Sequence, residues 1–329
     1  MPRPSISVVV PNYNHAPYLA QRIRSIQEQT WPPDEILVLD DASTDNSLGV
    51  IAAIRDPRLR LIPSERNSGN PFLQWNKGIR AAISQFIWIA ESDDWADSGL
   101  LSTLVPPLID DPSLAVSGCN SVIVRGGQVT TETTADWNAI LDAERWTSEY
   151  RAVGSEEVKS YLARENTLPN ASGVVFRKSL WSQVGGVPEH LRYAGDWLFW
   201  SRLLLLGNLY YSPAPLNHFR RHPESTTAGA VRSGRLLMDR LEVVRSLLSA
   251  VSFPREQRRG IVQHHVDHVF WACLNPLNRT SGRMGIRLTC ALLRLDPRSV
   301  VRIVRHLVVI GGRSVGRRMG VTGSRPMAL

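Results

Sequence analysis

The sequence predicts an α/β fold with a largely parallel sheet, followed by a helical C-terminal appendage. Three observations carry this. Through the first hundred residues, short apolar runs alternate with apolar residues at helical spacing, the pattern of parallel strands joined by right-handed crossover helices. Two of those runs end in adjacent acids, Asp40-Asp41 and Asp93-Asp94, at the strand ends where open α/β sheets bind ligands. Beyond about residue 230 the period-2 runs stop and the pattern becomes wholly helical.

Ile6–Val10 is the first strand. Pro11-Asn12-Tyr13-Asn14-His15 follows it instead of Gly-x-Gly-x-x-Gly, so the dinucleotide fingerprint is absent. Leu19, Ile23 and Ile26 at i, i+4, i+7 predict a helix over 17–29. Ile36–Leu39 is the second strand, and Ser43 or Thr44 is the expected N-cap of a helix carrying Leu48, Ile51 and Ile54. Leu59–Ile62, an Asn67-Ser68-Gly69-Asn70 turn, a helix from Trp75 to Ile83 and the run Phe86–Ala90 complete this half. Leu114–Arg125 reads as a strand with Gly126-Gly127 as its turn. Residues 130–165 are polar, lack period-2 runs and read as an excursion with a helix near Ser155–Arg164. Ala171–Arg177 reads as a strand, Gly195–Leu206 as a helix, and Leu209–Tyr211 as the start of another strand. Trp197 and Trp200, at i and i+3, read as core rather than as a sugar platform. In the tail, Asp296-Pro297 starts a helix with Val300, Val301, Val304, Leu307 and Val308 on one face and an Arg298, Arg302, Arg305 stripe beside it.

The 329 residues suffice for one large domain with an appendage. Three widely spaced cysteines without a C-x-x-C pair argue against a disulfide framework and a structural zinc site, and suit a reducing compartment. The N-terminal apolar stretch is too short for a signal peptide, and no run approaches a spanning helix. The net charge of +8 conceals an asymmetry. Residues 230–329 hold 18 Arg, no Lys and five acids, a net of +13, whereas residues 1–229 carry −5. A basic amphipathic tail on an acidic body points to an anionic partner, either a membrane surface or, alternatively, a contact with the catalytic domain or a second copy.

Glu91-Ser92-Asp93-Asp94 at the end of a buried strand concentrates negative charge that protons, cations or a metal must relieve. Hard oxygen donors suit Mg²⁺ or Mn²⁺, bound through one or two carboxylates plus substrate phosphates. Taken alone, the same pair also serves as a cap for the next helix.

Five motifs in order then carry a resemblance. Ser7–Asn14, Val38–Ser47, Glu91–Asp94, Gly195–Arg202 and Phe219–Thr226 resemble the signatures of family 2 glycosyltransferases, over about residues 5–228. The resemblance implies a GT-A fold with a Rossmann-like, mixed but mostly parallel sheet, over a catalytic domain of residues 1–228, with residues 229–329 as a basic helical region. It also implies an inverting enzyme of the hexosyltransferase type that uses a nucleotide-diphosphate sugar. Pro11 and Tyr13 are implied to form the base pocket, Asp41 to accept from the base imide and Asp93 to lie near the ribose. Asp94 and His222 are implied to hold Mg²⁺ or Mn²⁺, and Asp196 to act as general base. The chain departs from the pattern in two places: Glu91 replaces the first Asp of D-x-D-D, and Gly195 stands where Glu more often precedes Asp196. The Q-x-x-R-W motif of processive synthases is missing, which argues for one sugar per encounter.

The expected function is therefore metal-dependent transfer of a single sugar, UDP preferred, to a hydroxyl of a glycan or lipid-linked acceptor in polysaccharide biosynthesis. The expected location is the cytoplasm, peripheral to the inner face of the membrane. The rival readings are a nucleic-acid-binding protein using the Arg-rich tail, which an acidic body disfavours, and a catalytically inactive nucleotide-sugar-binding module. No nucleic-acid partner is expected.

Overall fold

The computed structural model describes residues 4–221, 230, 233–274 and 282–298. The chain divides into two compact units, Met1–Gly229 and Ala230–Leu329.

The first unit begins with β1 (Ile6–Asn12), α1 (Ala16–Gln27), β2 (Glu35–Asp40), α2 (Ser47–Ala53), β3 (Leu59–Pro63), α3 (Pro71–Ala81) and β4 (Phe86–Ile89). These strands run parallel, with β1 between β2 and β4. Their side chains from Val8 to Val10, Ile36 to Leu39 and Phe86 to Ile89 are buried on both faces, which is why they read as continuous apolar runs rather than alternations. Each such side chain contributes roughly 1.5–3 kcal/mol by burial. Helix α3 lies unusually close to the sheet at Gly78, where a Cβ would stand 2.4 Å from Val9 Cγ1. Asn76 fixes the other flank: its Nδ2 donates to the Val187 carbonyl and its Oδ1 accepts from Trp181 Nε1 and the Val187 N–H.

β5 (Trp95–Ala96), α4 (Leu100–Asp110), β6 (Leu114–Arg125), β7 (Gln128–Thr133), α5 (Thr134–Asn138), β8 (Tyr150–Ala152), α6 (Gly154–Glu157), β9 (Val174–Arg177), α7 (Lys178–Gln183), α8 (Gly195–Leu204) and β10 (Asn208–Arg221) complete the unit. The ten strands form one sheet in the order β3-β2-β1-β4-β9-β6-β10-β5, with β7 on β6 and β8 on β10. The sheet is mixed: β9 is antiparallel to both β4 and β6, and β10 is parallel to β6. This mixed, mostly parallel sheet flanked by helices is the GT-A architecture expected from the motifs.

Several local expectations are corrected. The N-cap of α2 is Asn46, not Ser43 or Thr44. The Ser43 hydroxyl instead donates to Asp40 Oδ1 and accepts from the Asn14 N–H. The polar excursion contains β7 and β8, which no alternation revealed because none of their residues is buried. The helix expected near Ser155–Arg164 is the single turn α6 running into a π-helical turn, Val158–Leu162. Residues Ala171–Gly173 form a 3-10 turn, capped by Asn170 Oδ1 on the Ser172 N–H at 2.7 Å, before β9 begins. β10 runs on to Arg221 through Pro213 and Pro215; its register shifts on both sides of Pro215, where proline cannot donate to the ladder.

In the second unit, α9 (Arg235–Ala250), α10 (Arg255–Leu274) and α11 (Gly282–Leu295) are helical. Leu241, Val244, Leu248, Ile261, Val266, Leu288 and Leu292 are among their buried residues. Ile286 and Trp271 are exposed. Among the described residues no helix is long and apolar enough to cross a membrane. The Arg302 and Arg305 part of the basic stripe, and the apolar face from Val300 to Val308, lie outside the described residues.

Candidate active site

The parallel register places Asn12 opposite Asp40 and Val9 opposite Ile89, so β1, β2 and β4 end together and deliver their loops to one edge. Side chains then stitch those loops. Asn12 Nδ2 donates to Asp40 Oδ1 at 2.8 Å, and the Ser43 N–H donates to Asp40 Oδ2 at 3.0 Å. Asp40 is thus a structural acid, buried and fully occupied within the first two loops. Asn14, at φ +57°, accepts from the Thr44 N–H at 2.7 Å. His15 Nδ1 and Ser92 Oγ lie 2.7 Å apart, joining the first loop to the acidic one.

The residues expected to form the base pocket sit on this edge. Pro11 is buried at the end of β1, and Tyr13 projects with 41% of its surface exposed. Asp41 is buried and followed by Ala42 at φ +59°, a left-handed conformation that a Cβ-bearing residue rarely adopts and that tends to mark functional loops. Its carboxylate accepts from the Ser68 N–H, the Ser68 hydroxyl at 2.7 Å and Gln74 Nε2 at 2.6 Å. The Asn67–Asn70 turn is therefore anchored on Asp41, and a base imide reaching Asp41 has to share it with these donors.

At the acidic loop, Asp94 is 2% exposed. Its Oδ2 accepts from Asn170 Nδ2 at 2.9 Å and Ser172 Oγ at 2.8 Å, and its Oδ1 accepts from the Arg220 N–H at 2.8 Å. Burial, then the charge of Asp93, raises the Asp94 carboxyl to about 6. Glu91 Oε1 accepts from Trp75 Nε1 at 2.9 Å. Burial, then the charges of Asp93 and Asp94, pushes Glu91 up to about 8. Asp93 is half-buried beside them. Three carboxyl groups are held here against their own repulsion, Asp94 oriented by three donors; carboxylate oxygens of this kind are what a hard divalent cation takes, one or two at a time, alongside substrate phosphates. His222, the other expected metal contact, lies outside the described residues.

Asp196 stands in the first turn of α8, whose N-cap is Ala194. Asn166 Nδ2 donates to its Oδ2 at 3.0 Å. Burial lifts its carboxyl to about 7, against hydrogen bonds from the Trp197 N–H, Asn166 and its own N–H. Trp197 and Trp200 are buried core, as expected.

Two bridges bring Asp196 to the acidic loop. The first is the stretch from Asn166 to Ser172, which holds Asp196 at one end and Asp94 at the other. Asn170 follows Asn166 by four positions, so their backbones lie at most about 14 Å apart. The second is Trp75, which donates to Glu91 and packs its ring 6.0 Å from that of Trp200, one turn beyond Asp196. The departure at Gly195 has a steric cause: a Cβ there would lie 2.5–2.9 Å from three atoms of the Phe72 ring. An aromatic ring fills the space a glutamate stem needs.

Sequence reasoning missed Asn166, Asn170, Ser172, Trp75 and Arg22. Only Arg22 left a signal: it falls at i+3 from Leu19 and at i−4 from Ile26, on the apolar face of α1.

Comparison with known proteins agrees with this geometry. Residues 7–160 match Glycosyl transferase family 2. The uncharacterized protein MT1568 of Mycobacterium tuberculosis is 26% identical over 75% of this chain and 76% of its own length. The GalNAc(5)-diNAcBac-PP-undecaprenol beta-1,3-glucosyltransferase of Campylobacter jejuni is 34% identical over 31% of this chain, and this chain spans 34% of that enzyme. Among solved structures, Staphylococcus aureus TarS 1-349 in complex with UDP-GlcNAc superposes with a TM-score of 0.68 at 17% identity, over 90% of this chain and 82% of that one. The mannosyltransferase PcManGT of Pyrobaculum calidifontis, in complex with GDP-Man and Mn²⁺, does so at 0.57 and 16%, over 91% and 87%. With the sheet, the paired strand-end acids and the family match all in agreement, residues 7–160 make up a glycosyl transferase family 2 domain.

Proposed function

We propose that this protein transfers one sugar, with inversion, from a nucleotide-diphosphate sugar to an acceptor hydroxyl, in a reaction that depends on Mg²⁺ or Mn²⁺. The observation that carries the proposal is the tethering of Asp196, a carboxyl raised to about 7, to the acidic loop through Asn166–Ser172. A general base works best when its pKa lies near the operating pH, and it contributes roughly 10²–10⁴-fold.

In the proposed reaction, Asp196 takes the proton from the acceptor hydroxyl as its oxygen attacks the anomeric carbon. The bond from that carbon to the diphosphate breaks on the opposite face. A divalent ion held by Asp94, with His222 as a further contact, supplies Lewis-acid neutralisation of the departing diphosphate when bound. Asp93 lies on the ribose side. Pro11 and Tyr13 flank the base, and Asp41 accepts from its imide, which favours UDP. The nucleotide-sugar complexes of TarS and PcManGT support a donor of this class. The undecaprenol-linked substrate named for the Campylobacter relative supports a glycan or lipid-linked acceptor.

Residues 1–228 are assigned the catalytic role and residues 229–329 a peripheral contact with an anionic membrane face. The net charge of +13 over residues 230–329 supports that contact.

A thermal-shift screen of nucleoside diphosphates with Mn²⁺ tests the donor. The correct one, at ~100 times its dissociation constant, stabilises by about 2.7 kcal/mol. Absence of stabilisation by every nucleoside diphosphate refutes the proposal. For the tail, the full chain is expected to sediment with anionic liposomes at low salt. Equal sedimentation of a chain truncated near residue 280 refutes the membrane role.

A further inference from the structure

Arg22 is the most anomalous side chain of the first unit. It is fully buried in α1, its Nε donates to the Glu91 carbonyl at 2.9 Å, and its guanidinium lies 5.1 Å from the centre of the Trp88 ring. Its Nη1 and Nη2 have no hydrogen-bond partner among the described residues. A buried charged group left in that state is expensive and calls for an explanation. The groups that act on it supply one. The charges of Asp94, Asp93 and Glu91, in that order of strength, favour its protonated form against the burial that pulls it down to about 10.

One further contact locates the cation on the inner side of the acidic loop. Trp88, over which Arg22 lies, donates from Nε1 to the Ser172 carbonyl at 2.7 Å. Ser172 in turn holds Asp94 through its hydroxyl. Arg22 thus stands on the protein side of the cluster, behind the loop backbone, and is tied to its first residue. A fixed cation in this position opposes the charge of the carboxylates without occupying the place of a ligand.

We infer that Arg22 is the built-in counter-charge of the Glu91–Asp94 loop, holding the acid cluster together without a metal and lowering its affinity for a divalent cation until a nucleotide diphosphate adds its own oxygens. This rests on the metal-dependent reading above. It makes the order of binding a property of the fold: Mn²⁺ alone binds weakly, and Mn²⁺ with the nucleotide binds well.

The test measures Mn²⁺ binding from the EPR signal of free Mn²⁺, on the full chain as wild type, Arg22→Met and Arg22→Lys, with and without UDP or GDP. Without nucleotide, Arg22→Met is expected to bind Mn²⁺ roughly tenfold more tightly than wild type, the order of effect of removing one nearby unit charge at an effective dielectric of about 20. Arg22→Lys keeps the charge and is expected to stay close to wild type. Arg22→Met is also expected to melt below wild type in EDTA and to gain more than wild type from saturating Mn²⁺, because the metal replaces the lost cation. Where Arg22→Met does not fold, Arg22→Gln carries the same expectations. Equal or weaker Mn²⁺ affinity in the neutral variant overturns the counter-charge role, while tight Mn²⁺ binding by wild type with nucleotide leaves the metal-dependent reading standing. If no chain binds Mn²⁺ under any condition, both are overturned.

Discussion

Replacing Asp196 with Asn separates catalysis from stability in opposite directions. The asparagine is isosteric and keeps an oxygen to accept from Asn166 Nδ2, so that bridge to the Asn166–Ser172 stretch survives. It cannot take a proton, so kcat is expected to fall ~10²–10⁴-fold. Stability moves the other way. Burial raises the carboxyl from 3.8 to about 7. The unfolded chain thus ionises this group near 4 and the folded chain near 7. The native state is favoured fully below pH ~4 and loses that advantage as pH rises towards 7. At about 1.4 kcal/mol per pH unit the full shift corresponds to about 4 kcal/mol, and solvent screening of a partly exposed carboxyl reduces it to on the order of 2 kcal/mol. Asp196→Asn removes this penalty. At pH 8 the variant is expected to melt about 4–8 °C above wild type, and the gap should close by pH 4. Nucleotide release under saturating donor and acceptor reads the first effect, and calorimetry across pH reads the second. A variant that keeps wild-type turnover refutes the assignment of the base. One that loses turnover and also melts lower at pH 8 refutes the account of its buried charge.

Asn166→Ala removes a hydrogen bond to the ionised Asp196, so its pKa rises further; the acid limb of the kcat/KM–pH profile, centred near 7 in wild type, is expected to move to higher pH with little change on the alkaline plateau. Asp94→Ala leaves Asn170 Nδ2, Ser172 Oγ and the Arg220 N–H without their acceptor, and at about 1–3 kcal/mol for a buried donor chemical denaturation should show a loss of several kcal/mol together with abolished transfer. Gly195→Ala drives a Cβ into the Phe72 ring and is expected to cost about 1–3 kcal/mol; pairing it with Phe72→Leu should recover much of that loss in thermal melts, and failure of the pair to recover would disprove the steric account of the missing glutamate.

Much of this protein follows from its sequence alone. The continuous apolar runs of β1, β2 and β4 admit only strands buried on both faces, and parallel strands so buried must end at one edge, where Asp40-Asp41 and Asp93-Asp94 stand. That placed the acids at a shared rim, and the resemblance to family 2 glycosyltransferases implied the roles of Tyr13, Asp41 and Asp196. The tertiary structure decided what those acids touch. Asn166, Asn170 and Ser172 lie in an irregular stretch between helix and strand, and nothing in their spacing specifies partners 30 and 76 residues away. The strands β7 and β8 escaped notice because an edge strand with a solvated surface carries no apolar alternation, and the continuation of β10 beyond Tyr211 escaped because it runs through Pro213 and Pro215. Arg22 was visible as a misfit on an apolar face, but its meaning depends on three carboxylates about seventy residues downstream that folding brings to its side. Local propensity is written within a few residues; electrostatic company is settled only when distant segments pack together and exclude water.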